Sequence, residues 1–184
     1  MAGDWVKGRL AARTIPPRVK DGVLRHRWVD STTGLHPAVR DAHILFSPRR
    51  RRAVPIILDM VFDHLLIHSW PAYSAQPLQL FVDDCYAALH RTSPLWPEPA
   101  RQVLPRLIEE DWLNSYADLD RLSFALARIE QRMSRDIGLG DADHEIRRAL
   151  PELRSIHAAL MRDLLDSLNT TAGGRAGLAP GSRC

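Results

Sequence analysis

Cysteine is scarce in this 184-residue chain: only Cys85 and Cys184 occur. Two cysteines so far apart make neither a disulfide framework nor a zinc knuckle. Cys85 lies in an apolar-patterned segment and reads as a small core residue. Long apolar runs are also missing, and none approaches the roughly 18–20 residues a membrane span needs. The start, Met1-Ala2-Gly3-Asp4, has neither the basic end nor the apolar stretch of a secretory signal. The expected location is therefore the cytoplasm, with no membrane partner. Lysine is nearly absent too: Lys7 and Lys20 are the only two, so most of the 25 basic residues are arginine. The net charge of +3 is modest, and no aromatic residues interleave with the cations, which argues against a nucleic-acid partner. It weakly favours an acidic one.

Strand signals are scarce as well. No sustained period-2 alternation and no Asn-Gly or Asp-Gly hairpin turn occurs. Helical periodicity dominates, so the expected fold is an all-α compact bundle in a single domain over residues 1–169. Helices are expected over about 17–29, 37–46, 55–70, 78–91, 100–115, 118–136 and 142–168. Asp30 to Pro37 reads as a loop, and Pro55 as a first turn or a kink. Residues 170–184, rich in Gly, Ala and Ser, read as a disordered tail.

What is present in quantity is metal-ligand chemistry at helical spacing. His26 and Asp30 stand four residues apart, as do Asp59 and Asp63, and positions i and i+4 share one helix face. His64 follows Asp63 and points about 100° away, so the two flank one site only if the helix edge faces it. Mixed imidazole and carboxylate donors suit Mn²⁺, Fe²⁺, Co²⁺ or Zn²⁺; carboxylates alone lean to Mg²⁺. Read alone, Asp30 near Arg27 is often a structural ion pair, and Asp59 could equally cap a neighbouring helix or pair with an arginine. His68, His90, His144 and His157 read as hydrogen-bonded core residues. Near the start, Asp4 and Lys7 share a helical face; read alone they favour a frayed, charged chain start over the other reading, a carboxylate for a metal beside a cation for a phosphate oxygen. The run Arg49 to Arg52 reads either as a solvated helix start or as a docking patch for phosphate or an acidic protein.

Three segments in order, Gly3-Asp4-Trp5-Val6-Lys7-Gly8, Gly22-Val23-Leu24-Arg25-His26-Arg27-Trp28-Val29-Asp30, and Arg51-Arg52-Ala53-Val54 through Asp59 and Asp63-His64 to Trp70, resemble the acyl carrier protein phosphodiesterases. Trp112-Leu113-Asn114-Ser115-Tyr116 resembles a later W-L-x-x-Y element of that family. The resemblance implies a bundle of the HD-domain-like type. It also implies a metal-dependent phosphodiesterase of lipid metabolism that removes 4′-phosphopantetheine from holo-acyl carrier protein. Manganese is the implied ion, with Co²⁺, Fe²⁺ or Mg²⁺ as substitutes. By the same resemblance Asp4, His26, Asp63 and His64 are metal ligands, Lys7 and Arg27 phosphate contacts, and Asp30 and Asp59 orienters of the ligands. Arg49, Arg50, Arg51 and Arg52 would then steer the acidic carrier protein. Family members carry a further N-x-L-A-H segment ahead of the Gly-Asp pair, so the expectation is either a misplaced start or a shortened relative with impaired activity. Two other readings are a phosphohydrolase of small phosphoesters and a catalytically inactive module that binds acyl carrier protein.

Overall fold

The computed structural model describes residues 16–96 and 98–176, and these form eight α-helices joined by short 3₁₀ turns, with no strand among them. They are α1 (Pro17–Leu35), α2 (Pro37–Asp41), α3 (Val54–Ser69), α4 (Leu78–Thr92), α5 (Glu98–Glu109), α6 (Trp112–Ser115), α7 (Leu119–Glu130) and α8 (Asp143–Ala176). The all-α expectation holds.

Helix α3 is the axis of the core. Val54, Ile57, Leu58, Met60, Val61, Phe62 and Leu65 are all buried, so apolar residues face inward around most of its circumference. A helix that is apolar nearly all round is enclosed by its neighbours. Pro55 sits in its first turn, where the missing N–H costs nothing. The long helix α8 lies against it through Ile146, Ala149, Leu153, Leu160 and Leu164, a stripe with steps of three or four and one gap. His157 fills that gap. Helix α7 contributes Leu122 and Leu126, both fully buried. A second, smaller core joins α4 to α5 through Leu89, Trp96, Ala100, Leu104 and Leu107.

Several boundaries differ from the sequence expectation: the expected helix 37–46 ends at Asp41 and gives way to a 3₁₀ turn, and the expected helix 118–136 ends at Glu130. Helix α1 runs through Asp30 and the Ser-Thr-Thr-Gly segment to Leu35, because its packing against α2 and α8 outweighs weak local helix propensity. The expected helix 100–115 is broken at Asp111, which takes a left-handed conformation (φ 47°). Its carboxylate accepts hydrogen bonds from Tyr86 Oη at 2.9 Å and Asn114 Nδ2 at 3.0 Å, which hold the break in place. Helix α8 passes through Pro151 and continues to Ala176, beyond the expected end at 168.

The segment between α7 and α8 is fixed by two ionic knots. The Glu130 carboxylate accepts from the backbone N–H groups of Ile137 (2.9 Å), Leu139 (2.8 Å) and Gly140 (2.8 Å). These bonds, that from Leu139 foremost, hold its pKa down to about 2. Gly138 adopts φ 78°, and a Cβ there would press on the Arg50 side chain at 3.2 Å. Its carbonyl accepts from Arg50 Nη1.

Candidate active site

Asp59 and Asp63 stand one turn apart on α3 and line a single cavity of about 520 Å³. Asp30 of α1 lines the same cavity, with Arg40 and His43 at one side and His157, Leu160 and Leu164 of α8 at the other. The lining is thus mainly apolar on both α3 and α8, with Asp59 and Asp63 as the acids of α3. Asp63 is open to solvent on the cavity side, but the protein packed around it displaces much of its water. That loss of hydration, with the like charge of Asp59 second, pushes its pKa up to about 7. Behind the acids lies Tyr116. Burial foremost, and then the charges of Asp63 and Asp59, push its phenol up to about 12, so it stays protonated.

His26 Nε2 lies 3.3 Å from Asp30 Oδ2, within one face of α1. This i,i+4 contact exists because α1 does not end at Val29. Arg27 is half-buried one residue further on. Asp4 and Lys7 fall outside the described residues.

His64 does not join Asp63, contrary to the sequence expectation. The 100° step between adjacent residues turns its ring away from the cavity and into the protein. There it is 4% exposed, and Nδ1–H donates to the Tyr116 carbonyl at 2.9 Å. The ring packs edge-on against His68, centroids 4.5 Å apart, and burial lowers its pKa. His68 in turn donates from Nε2 to the Ala117 carbonyl at 2.9 Å. Both imidazoles tie α3 to the turn after α6.

Arg50 is the second departure. Its side chain is only 6% exposed, and Nε donates to Glu145 Oε1 at 2.8 Å while Nη2 donates to the Asp141 carbonyl at 2.8 Å. A guanidinium so enclosed serves the fold and is not available for docking. Arg49 remains on the surface but pairs with Asp141 at 2.8 Å. Arg51 and Arg52 are exposed and make no ion pair among the described residues.

Two cavity residues escaped the sequence reading, Arg40 and His43, and a third, His157, was read as a core residue, which its burial bears out. His157 left a trace, as the only polar residue in the α8 core stripe. It is 4% exposed, faces Phe62 with centroids 5.7 Å apart, and burial lowers its pKa.

The donor chemistry suits a divalent cation in part. Two carboxylates one turn apart share a cavity, and the positive charge of an ion would offset the repulsion and poor hydration that raise the Asp63 pKa. Among the described residues, no three His, Cys, Asp or Glu side chains converge as a full ligand set. A complete site therefore requires donors beyond them.

An all-helical bundle with two carboxylates on the wall of one cavity is compatible with a hydrolase. The family profile described as acyl carrier protein phosphodiesterase matches residues 1–164. An acyl carrier protein phosphodiesterase of Salmonella newport (strain SL254) is 33% identical over 147 residues, covering 79% of this chain and 76% of its own. The protein of the same name from Salmonella paratyphi A is 32% identical over the same coverage. The chain belongs to the acyl carrier protein phosphodiesterase family. No solved structure matches it.

Proposed function

We propose that this chain hydrolyses the phosphodiester between 4′-phosphopantetheine and the serine of holo-acyl carrier protein, leaving the apo-protein, in the cytoplasm and with Mn²⁺ as the working ion. Co²⁺, Fe²⁺ or Mg²⁺ are the substitutes the donor types allow. The observation that carries the reading is the Asp59–Asp63 pair on the wall of one cavity, in a chain of this family.

In this reading Asp63 and Asp59 hold the ion with Asp4 as a further ligand, and His26, which does not converge with the two α3 acids, is a water-positioning group. Asp30, 3.3 Å from His26, sets the direction of that imidazole. A divalent ion held there supplies Lewis-acid polarisation of the phosphoryl group and activation of water. The remaining work falls to side chains of the chain itself. Arg27, Lys7 and Arg40 neutralise phosphate oxygens. The apolar lining at Phe62, Leu160 and Leu164 excludes water from the pantetheine arm. His64 takes no part in catalysis and holds Tyr116 behind the acids.

The test is mass spectrometry of holo-acyl carrier protein incubated with the chain, with and without Mn²⁺. Loss of the phosphopantetheine mass only when the ion is present supports the reading. An intact holo-protein with a folded, metal-supplied chain contradicts it.

A further inference from the structure

Beside the acid-lined cavity runs a second, open groove formed by Arg40, His43, Ile44, Phe46, Ser47, Pro48 and Arg51. Arg40 and His43 line both, so the groove and the cavity share a wall. The 3₁₀ turn Ala42–Leu45 explains its central feature. With three residues per turn, Ala42 and Leu45 fall on the same side and pack inward. Phe46 anchors the turn at 6% exposure, and Ile44 is thrust out at 84%. A single exposed apolar residue is ordinary. The setting of Ile44 is not: it shares the groove with the exposed arginines 40 and 51, neither of which makes an ion pair among the described residues. No acidic side chain among the described residues lines the groove.

We infer that this groove is the docking surface for a folded acidic protein partner. That partner's negative face meets Arg40 and Arg51, and one apolar side chain at its centre packs on Ile44. The shared wall then leads a group attached to the partner directly into the Asp59–Asp63 cavity. The inference rests on the proposed activity for the identity of the partner, acyl carrier protein. It relocates the docking surface from the arginine run as a whole to Arg40, Ile44 and Arg51. The enclosed Arg50 and the Asp141-paired Arg49 are left out of it. Charge complementarity supplies the encounter rate and orientation, and the apolar contact supplies the residence time.

The test uses fluorescently labelled apo-acyl carrier protein, which lacks the arm, titrated with the full chain and read by anisotropy. Binding therefore does not depend on catalysis. Ile44→Asp is expected to weaken binding about tenfold or more, the loss of one central apolar anchor. Ile44→Leu should restore it, and Arg51→Glu should weaken it mainly at low salt. Leu80→Asp, at a 54% exposed apolar residue on α4, should leave affinity unchanged. An Ile44→Asp chain that binds like the wild type, or a Leu80→Asp chain equally impaired, overturns the assignment. So does tighter Ile44-dependent binding to single-stranded RNA or to anionic vesicles, or no binding at all. The mass-spectrometric assay separates the two claims. Cleavage with a KM unaffected by Ile44→Asp refutes the groove alone. Ile44-dependent binding without cleavage refutes the activity alone.

Discussion

Two groups of charges in this molecule have opposite histories. Around the α7–α8 connection, Arg50, Asp141, Glu145 and Glu130 are met by partners on several sides, and the pKa values of the three acids are lowered. For Glu145 burial opposes ionisation, but donors from Ser47 and Arg50 outweigh it. On α3, Asp63 has another acid, Asp59, as a charged neighbour, and its pKa is raised. A charge that folding satisfies stabilises the fold. An acid that folding leaves poorly hydrated and repelled costs stability and is retained for chemistry. In the proposed reading the first group belongs to stability and the second to activity, and mutations should separate them.

The largest effect is expected at Asp63. Asp63→Asn should lower metal-dependent turnover on the order of 10³-fold, several kcal/mol of transition-state stabilisation. The thermal midpoint should hold or rise, because a repelled carboxylate is removed. A parallel loss of folding would erase the contrast. At Arg50 the prediction is reversed. Arg50→Ala strips Glu145 and the Gly138 carbonyl of their donor and should cost about 3 kcal/mol in a denaturant titration. Activity per folded molecule should stay near wild type.

Glu130→Gln should cost about 1–2 kcal/mol, discounted because the group is partly exposed. The pH dependence sharpens this. A carboxyl whose pKa falls to about 2 on folding stabilises the fold above its ordinary value of 4.5. That contribution disappears as pH falls from 4.5 towards 2. The variant should therefore differ from the wild type at pH 7 and converge with it near pH 2, as read by circular dichroism. Replacing His64 by Gln should cost about 1 kcal/mol of stability, with turnover changed only a few-fold. A loss of turnover matching that of Asp63→Asn would place His64 back in the site. The smallest effect concerns the exposed arginines. Affinity for acyl carrier protein should fall as salt rises above about 0.1 M, where exposed charges are screened.

The helical architecture was legible because the apolar periodicity of α3 and α8 is strong. The length of α1 was not, because Ser31, Thr32, Thr33 and Gly34 carry turn chemistry locally, and only tertiary packing keeps them helical. Asp59 and Asp63 were legible from their spacing. His64 was not separable from Asp63 in one dimension, since adjacency in sequence becomes divergence on a helix. The four arginines look alike as a run. The 3₁₀ turn Pro48–Arg50 alone decides that Arg50 turns inward, to acids some ninety residues distant. Arg40 and His43 were not legible, because nothing along the chain marks the segment 37–46 as lying beside the α3 acids.

The central claim is that the α3 acids hold the ion. It is tested most directly by titrating Mn²⁺ into the metal-free full chain by calorimetry, alongside Asp63→Asn and His64→Gln. The account predicts that the wild type and His64→Gln bind Mn²⁺ with similar affinity, and that Asp63→Asn binds at least about tenfold more weakly. Unchanged binding in Asp63→Asn, with loss in His64→Gln, would contradict it.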